Sequence, residues 1–281
     1  MKKLALFCLI FASLYGCSSV PITGRRQLNL VSDEEVLTLS LQQYDDYIKT
    51  AKKSTDKNAT ALVTKVGSKI AAAVQEYYKS VGQESQLSGY SWEFNLIDDP
   101  QVNAFCMPGG KIVVYTGILP VTQDETGLAV VLGHEVAHAV AKHANERMSQ
   151  QMAAQGLATG VGILLGNTSS TVQSIGQTVF GLGAQYGVLL PFSRKQESEA
   201  DHLGLIFMAK AGYTPEAALS FWQRMAQQGS SVPELLSDHP ADNTRIAAIQ
   251  KEIPEAMQYY TGNKVNTTTT PVKNANTIKR K

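Results

Sequence analysis

The middle of the chain carries apolar residues at helical spacing. From Val121 to Met148 apolar side chains recur every three to four residues, as they do on one face of a helix. Thr122 and Glu125 lie three residues apart and predict a capping box, and Asp124 adds negative charge at the same end. The pattern therefore predicts a single helix over this range. Its apolar side is formed by Leu128, Val131, Leu132, Ala139 and Val140.

Helices are predicted on both sides of this central helix. One starts at Ser32, and a second follows the charged break at residues 52–58. Helical patterns resume at Ser193, at Thr214 and at Asp242. The apolar stripes of the two early helices comprise Val36, Leu37, Leu41 and Tyr44 in the first and Leu62, Val66, Ile70, Val74 and Tyr77 in the second.

Between the early helices and the central helix the apolar pattern changes to a period of two. Trp92, Phe94 and Leu96 alternate with polar residues and predict a half-buried strand. Pro108-Gly109-Gly110 then separates two short apolar runs, which is typical of a hairpin. The predicted fold class is therefore α+β and mainly helical, with a small antiparallel sheet of about three strands before the central helix.

The segment from Arg147 to Arg194 has no charged residue or histidine between its ends. Its longest apolar run, Val161 to Leu165, is too short to span a membrane. We interpret this uncharged segment, residues 148–193, as two helices of small residues around a polar turn. A hairpin that contacts a membrane is the alternative interpretation.

The composition is that of a globular protein. The 281 residues are 43% hydrophobic with a net charge of +1, and no basic patch favours a nucleic acid partner. We predict a linker over residues 17–30, one folded domain over residues 31–254 and a basic, polar, disordered tail over residues 255–281. Apart from cysteines in the leader and at its end, Cys106 stands alone, so no internal disulfide is expected.

Residues 1–16 have the pattern of an export signal. Two lysines precede an apolar stretch, Leu4 to Leu14, that is too short for a stable transmembrane helix. The four residues that end at Cys17 (Leu-Tyr-Gly-Cys) resemble the lipobox of bacterial lipoproteins, and Ser18 resembles the signal for outer-membrane delivery. We therefore predict a lipoprotein signal peptide, a lipid on Cys17 and a location on the periplasmic face of the cell envelope, at the outer membrane. An ordinary signal peptide or an uncleaved anchor is the alternative.

The central helix contains His134-Glu135-Val136-Ala137-His138. Two histidines four residues apart project from one face of a helix and can bind a single metal ion. Glu135 is offset from His134 by about 100°, so it can reach a water on that ion without being a ligand. The alternative is a helix whose two histidines are hydrogen-bonded separately in the core.

A catalytic zinc site needs a third protein ligand and an open position. Glu197 and Asp201 share one face of a predicted helix, whereas Glu199 is expected to point away from them. One of the pair can bind zinc while the other orients a ligand imidazole through its second nitrogen. The alternative is a solvated acidic turn at the start of a helix.

Four stretches together resemble the gluzincin zinc metallopeptidases, the family of the HtpX-, BepA- and Oma-type proteases and the CAAX prenyl endopeptidases. These stretches are GHEVAHAVAKH, ESEAD, NAFCMPGGKIVVYTGIL and HPADNTRI. The chain is most similar to the periplasmic BepA/LoiP-type lipoproteins, without a tetratricopeptide extension. The resemblance implies a zincin-like domain that holds one zinc ion per chain through His134, His138 and Glu197. It also implies Glu135 as the general base and Asp201 as a catalytic acid or as a positioning group.

The resemblance further implies a zinc-dependent endopeptidase of the bacterial envelope, with protein or peptide substrates and a membrane anchor at Cys17. We expect it to hydrolyse misfolded or assembling envelope proteins through a zinc-activated water. The alternative is a chaperone-like lipoprotein whose zinc site is latent or occluded. A sheet edge beside the metal is expected to bind the substrate as an added strand. The residues predicted for that edge are Asn103, Ala104, Phe105, Cys106 and Met107.

Three other histidines and one arginine receive predictions. His239 is predicted either to gate the site by binding zinc or to stabilise the oxyanion, and Arg245 is a second oxyanion candidate. His143 follows His134 by nine residues on the predicted single helix, so it should face away from the metal. His202 is expected to have a packing or surface role.

Overall fold

A computed structural model describes residues 17–20, 23–159, 168–180, 193–227 and 243–262. Within these ranges the protein is mainly helical with a small sheet, as predicted. The helices are α1 (Asp33–Thr50), α2 (Lys57–Ser80), α3 (Leu119–Thr122), α4 (Glu125–Val140), α5 (His143–Thr159), α6 (Thr168–Phe180), α7 (Arg194–Lys210), α8 (Ala217–Ala226) and α9 (Asn243–Ala256). Three short 3-10 turns lie at Glu84–Leu87, Thr116–Ile118 and Met257–Tyr259.

The N-terminal residues form a small hairpin. Strand β1 (Cys17–Ser19) pairs antiparallel with β2 (Arg26–Leu28). Val20 follows β1 and is buried in the main core, and the backbone N–H of Leu30 donates to the Ser149 hydroxyl in α5 at 2.8 Å. The hairpin is therefore attached to the body of the domain rather than forming an extended linker.

A three-stranded sheet precedes the central helix, but it is mixed rather than wholly antiparallel. Strand β5 (Lys111–Tyr115) lies between β3 (Glu93–Ile97) and β4 (Ala104–Met107). The predicted β4–β5 hairpin is present, whereas β3 runs parallel to β5. The parallel pairing arises because the chain crosses from one sheet edge to the other after β3. This connection packs against Gly117, where a Cβ atom would lie 2.1 Å from the Pro100 carbonyl oxygen.

The two faces of the sheet pack against different helices. Leu96, Ile112 and Val114 lie in a core cluster with α2 and α4, whereas Ile97 and Val113 lie in a second cluster with α1 and α6. Alternate residues of one strand thus enter different cores, as the period-two pattern requires. Strand β4 lies at the edge of the sheet and beside α4.

Helix α4 is buried on all sides, and every residue from Gly127 to Val140 is inaccessible to solvent or nearly so. It contacts α2, α7, α8 and β4, so it forms the centre of the domain. Its closest neighbour is α7, and the two backbones meet at Gly133 and Gly204. A Cβ atom on Gly133 would lie 2.9 Å from the Gly204 carbonyl oxygen, so this crossing requires glycine.

The central helix begins later than the sequence predicts. Thr122 belongs to the short helix α3, and Gln123 adopts a positive φ of 67° that separates α3 from α4. Asp124 is the N-cap of α4, and its carboxylate accepts from the Gly127 backbone N–H at 2.8 Å. The predicted capping box at Thr122 is therefore wrong, and the capping group is the carboxylate two residues on.

The central helix also ends earlier than predicted, because α4 and α5 are separate helices. Lys142 adopts a φ of 60°, and α5 starts at His143. Tyr78 donates its hydroxyl to the Val140 carbonyl oxygen at 3.1 Å, and Tyr90 donates to the preceding carbonyl at 2.9 Å. These two distant tyrosines satisfy carbonyls that a continuous helix would have used internally.

Two helices occur in the uncharged segment, as predicted, although residues 160–167 and 181–192 lie outside the described ranges. The apolar residues of α6, such as Val172 and Ile175, are buried in the cluster with α1. No helix among the described residues combines the length and apolar character of a membrane span. At the C-terminal end, α9 continues through Pro254 to Ala256, two residues past the predicted boundary; the domain boundaries themselves remain predictions.

Candidate metal centre and active site

Helices α4 and α7 bring three metal-binding side chains together. The Nε2 atoms of His134 and His138 lie 3.1 Å apart. Glu197 places its Oε2 atom 3.4 Å from the His134 Nε2 and its Oε1 atom 3.3 Å from the His138 Nε2. A tetrahedral zinc ion with ligand bonds of about 2.0–2.2 Å separates its ligand atoms by about 3.3 Å. The three buried donors therefore have the spacing that one zinc ion requires.

Burial affects the two imidazoles differently. It holds the pKa of His138 well below its usual range, so this ring is neutral and can ligate a metal. For His134 burial also lowers the pKa, but hydrogen bonds to Asp201 and Glu197 outweigh it, and the net shift is upward. Metal binding near neutral pH is therefore expected to displace a proton from His134.

Asp201 lies behind His134 on the side away from the donor group. Its Oδ1 atom is 3.0 Å from the His134 Nδ1, which fixes the orientation of the ring. Burial raises the pKa of Asp201, but Arg245 and His134 lower it by more than burial raises it. The net shift of the pKa is therefore downward. The spacing left Glu197 and Asp201 as alternatives for the ligand, and the family resemblance implied Glu197. In the structure Glu197 faces the two Nε2 atoms and Asp201 faces a Nδ1 atom.

Arg245 lies inside the site and bonds two of its carboxylates. Its Nε and Nη2 atoms donate to Asp201 at 2.6 and 2.8 Å, and its Nη1 atom is 3.0 Å from Glu197 Oε2. The guanidinium also stacks on Trp222, with Cζ 3.7 Å from the ring centre. α9 thereby supplies one positive charge that offsets part of the negative charge of the two α7 carboxylates.

Glu135 is a buried residue of α4. Burial and the charge on Glu135 raise the pKa of Cys106 in β4 well above its usual range. The same charge contributes to the raised pKa of Arg245. The charge on Glu135 therefore acts on groups of both the edge strand and α9.

His143 and Glu199 belong to the site, although the sequence analysis placed both away from it. The Nδ1 atoms of His143 and His138 lie 2.8 Å apart, and the Nε2 atom of His143 is 2.9 Å from Glu199 Oε2. His143 contacts the Nδ1 side of His138 rather than its Nε2 atom, and the single continuous helix on which its placement was predicted is wrong, because the chain turns at Lys142. One sequence signal was available: Glu199 precedes Leu203 by one helical turn and so lies on a buried face of α7.

The remaining predicted site residues have mixed outcomes. Of the five residues predicted to bind substrate, Ala104 to Met107 form the edge strand β4 and Asn103 directly precedes it. Their binding of substrate stays a prediction. His202 is partly exposed and lies 3.7 Å from Glu252, consistent with the packing or surface role expected of it. His239 lies outside the described residues, so its two proposed roles stay predictions.

Comparison with known proteins identifies the family. Residues 68–253 match the model of peptidase family M48. The chain is 35% identical over 249 residues to the mitochondrial metalloendopeptidase OMA1 of Schizosaccharomyces pombe, covering 85% of the chain and 67% of the relative. It is 32% identical over 266 residues to human OMA1, covering 91% of the chain and 50% of the relative. A bacterial relative, the beta-barrel assembly-enhancing protease of Yersinia pestis, is 34% identical over 164 residues, covering 56% of the chain and 33% of the relative.

These comparisons contradict the predicted location. The relatives that match 85% and 91% of the chain are mitochondrial enzymes by name, whereas the bacterial relative matches 56%. The prediction of a location at the outer membrane, facing the periplasm, depended on a few residues around Cys17, a much shorter signal than these alignments, and it is wrong. The family prediction is confirmed: the chain belongs to peptidase family M48 and is a zinc-dependent metalloendopeptidase.

Proposed function

We propose that His134, His138 and Glu197 hold the zinc ion and that Glu135 is the general base for peptide hydrolysis. The observation that carries this assignment is the convergence of three buried donor atoms from α4 and α7 within 4.8 Å of one another. When bound there, zinc lowers the pKa of a water molecule to about 7 and polarises a carbonyl group.

Glu135 moves the proton. It follows the first ligand on α4 and is offset from it by about 100°, so its carboxylate is directed beside the metal rather than at it. It accepts a proton from the attacking water and later donates it to the leaving amine. Helix α4 contacts β4, and the charge on Glu135 contributes to the raised pKa of Cys106 in that strand. Both observations support this role, because a substrate on β4 would pass close to α4.

Asp201 and Arg245 position the reacting groups. Asp201 accepts from the Nδ1 of His134 and so directs the Nε2 atom of that ring toward the metal. The Arg245 guanidinium is bonded to Asp201 and Glu197. These contacts favour a role for Arg245 in orienting both carboxylates over the role of oxyanion donor.

The substrate binds as an extended strand along β4. The Asn103 carbonyl oxygen accepts from the Tyr115 N–H of β5, and the Met107 carbonyl oxygen accepts from the Gly110 N–H in the β4–β5 turn. Because backbone groups of successive residues point to opposite sides of a strand, those of Ala104 and Cys106 face the outer edge of the sheet. Strand addition at an edge recognises the backbone of a segment that is not already paired. The substrates are accordingly proteins with an exposed extended segment, as in misfolded or incompletely assembled chains.

Attachment of a lipid to Cys17 is a separate proposal, which rests on the residues that resemble a lipobox. Strand β1 starts at this residue, so a lipid there would hold the N-terminal hairpin directly at a membrane. Mass spectrometry of the N-terminal peptide tests it. A diacylated cysteine supports the proposal, and an unmodified cysteine or an uncleaved leader contradicts it.

The activity is tested with Glu135→Gln. This variant is expected to keep one zinc ion per chain and its thermal stability while casein hydrolysis falls at least about a hundredfold, because only the proton acceptor is lost. His202→Gln is the matched control, since it changes a partly exposed residue of α7 outside the site and should leave turnover unchanged. Near-normal turnover by Glu135→Gln would contradict the assignment.

A further inference from the structure

A buried chain of polar contacts leads away from His138 toward the N-terminus of the protein. His138 faces His143 across 2.8 Å between their Nδ1 atoms, and His143 faces Glu199 across 2.9 Å. All three side chains are buried. The peptidase reaction as described above uses neither His143 nor Glu199, although burying two ionisable groups is costly unless each has a partner.

Metal ligation by His138 fixes the protons along this chain. When the Nε2 atom of His138 binds a metal, its Nδ1 atom carries the proton and donates to the Nδ1 of His143. The proton of His143 is then on Nε2, where it donates to the Glu199 carboxylate. His134 has a carboxylate in direct contact with its Nδ1 atom, whereas His138 is linked to its carboxylate through a second imidazole.

Glu199 is held in turn by residues of the N-terminal hairpin. It accepts from Arg25 Nε at 2.7 Å and from the Thr23 hydroxyl. The other two guanidinium nitrogens of Arg25 form a bidentate contact with Glu146, at 2.9 and 2.7 Å. Glu146 also accepts from the Gln196 side chain at 2.8 Å. Because one arginine serves two carboxylates, the cluster keeps a net negative charge that attracts the His143 proton.

The hairpin has the geometry to hold Arg25 in place. The connection between β1 and β2 carries Thr23 and Arg25, and Gly24 between them has a φ of 68°. Val20 anchors the hairpin in the main core, where its backbone N–H donates to the Arg25 carbonyl oxygen at 2.8 Å. The arginine therefore projects from a fixed turn.

We propose that Arg25, Glu199 and His143 are positioning residues for the zinc ligand His138, so that the N-terminal hairpin completes the metal centre. Arg25 orients the carboxylate, the carboxylate fixes the proton and ring angle of His143, and His143 fixes those of His138. Outer partners of this kind orient a ligand and increase its basicity, and their loss typically weakens metal binding about 10- to 100-fold. The inference rests on the proposed function only in taking His138 as a ligand.

The test measures zinc affinity of the full chain by competition with a chelator. Glu199→Gln keeps the size of the side chain but removes its charge, and the zinc dissociation constant is expected to rise about 10- to 100-fold. Arg25→Gln should raise it by a smaller factor, because Arg25 acts through Glu199. Arg25→Lys keeps the charge beside Glu199 and should recover part of the loss. In the double variant the two losses should not add, since both act on one contact.

Tyr213→Phe is the matched control for a purely structural effect. It removes a hydrogen bond to Glu125 at the start of α4, at the opposite end of that helix from His138, so it should lower stability and leave zinc affinity unchanged. The visible spectrum of the cobalt-substituted protein is a second readout, and it should change in Glu199→Gln but not in Tyr213→Phe.

Wild-type zinc affinity in a folded Glu199→Gln variant would overturn the proposal. A loss of affinity in Tyr213→Phe as large as that in Glu199→Gln would also overturn it. If Glu199→Gln does not fold, Arg25→Gln decides the question. In that case a zinc affinity of Arg25→Gln equal to that of the wild type overturns the proposal. The proposed function can fail separately. If zinc affinity falls in Glu199→Gln and Arg25→Gln as predicted but the wild-type protein cleaves no peptide, the proposed function is refuted and this inference stands.

Discussion

The close approach of α4 and α7 at Gly133 and Gly204 makes a specific prediction for Gly204→Ala. The new Cβ atom would lie 2.9 Å from the His134 backbone nitrogen and 3.0 Å from the Gly133 carbonyl carbon. Ordinary van der Waals contact begins at 3.4 Å. Both neighbours are backbone atoms of a buried helix and cannot rotate away, so the helices must separate by about half an ångström.

The separation should affect both metal binding and stability. Overpacking costs about 1–3 kcal/mol, and the higher helix propensity of alanine offsets up to about 1 kcal/mol, which leaves a net loss of about 0–2 kcal/mol. Metal–ligand distances tolerate only about 0.2 Å, and the helices carry different ligands. The zinc dissociation constant should therefore rise at least about tenfold.

Chelator competition and urea denaturation of the metal-free protein measure the two quantities separately. Gly176→Ala is the control, because its new Cβ atom would meet only the Cδ1 atom of Leu39 at 3.0 Å, the end of a flexible side chain in another helix pair. Gly176→Ala gains the same helix propensity as Gly204→Ala, and it should bind zinc with the affinity of the wild type. Unchanged zinc affinity in Gly204→Ala would refute the claim that this crossing sets the ligand geometry.

Two further predictions concern the ends of α4. Tyr78→Phe should lower the free energy of unfolding by about 1–3 kcal/mol in urea denaturation, because the buried Val140 carbonyl loses its donor; a change below about 0.3 kcal/mol would contradict this. Glu125 accepts from Lys65 and Tyr213, which lower its pKa from 4.5 to about 2. Since the folded-state pKa is below the unfolded one, this stabilisation is complete above pH 4.5 and is lost as the pH falls toward 2. Glu125→Gln should therefore show a smaller drop in Tm between pH 7 and pH 3 than the wild type, and equal drops would contradict the assignment.

The metal site could be predicted from the sequence as far as local spacing determines it. The four-residue separation of His134 and His138 places both rings on one face of α4. The choice between Glu197 and Asp201 could not be made from spacing, because both lie on the same face of α7. It depends on how α7 crosses α4, and that crossing is set by contact between two glycines distant in sequence.

The predictions that failed depend on contacts between distant segments. The apolar pattern continues past Val140, but α4 ends there because Tyr78 and Tyr90, from other parts of the chain, satisfy its last carbonyls. The resulting turn brings His143 back toward His138. Likewise, the alternation in β3 predicts a strand, but it does not indicate which strand is its neighbour or in which direction that neighbour runs.

The central claim is that one zinc ion binds between His134, His138 and Glu197, and anomalous diffraction at the zinc absorption edge tests it directly. Crystals of the zinc-loaded protein should show a single strong peak per chain, within bonding distance of both Nε2 atoms and of the Glu197 carboxylate. Crystals of Glu197→Gln grown in the same way should show that peak greatly weakened. A principal peak at another cluster, or a peak that keeps its full height in Glu197→Gln, would contradict the claim.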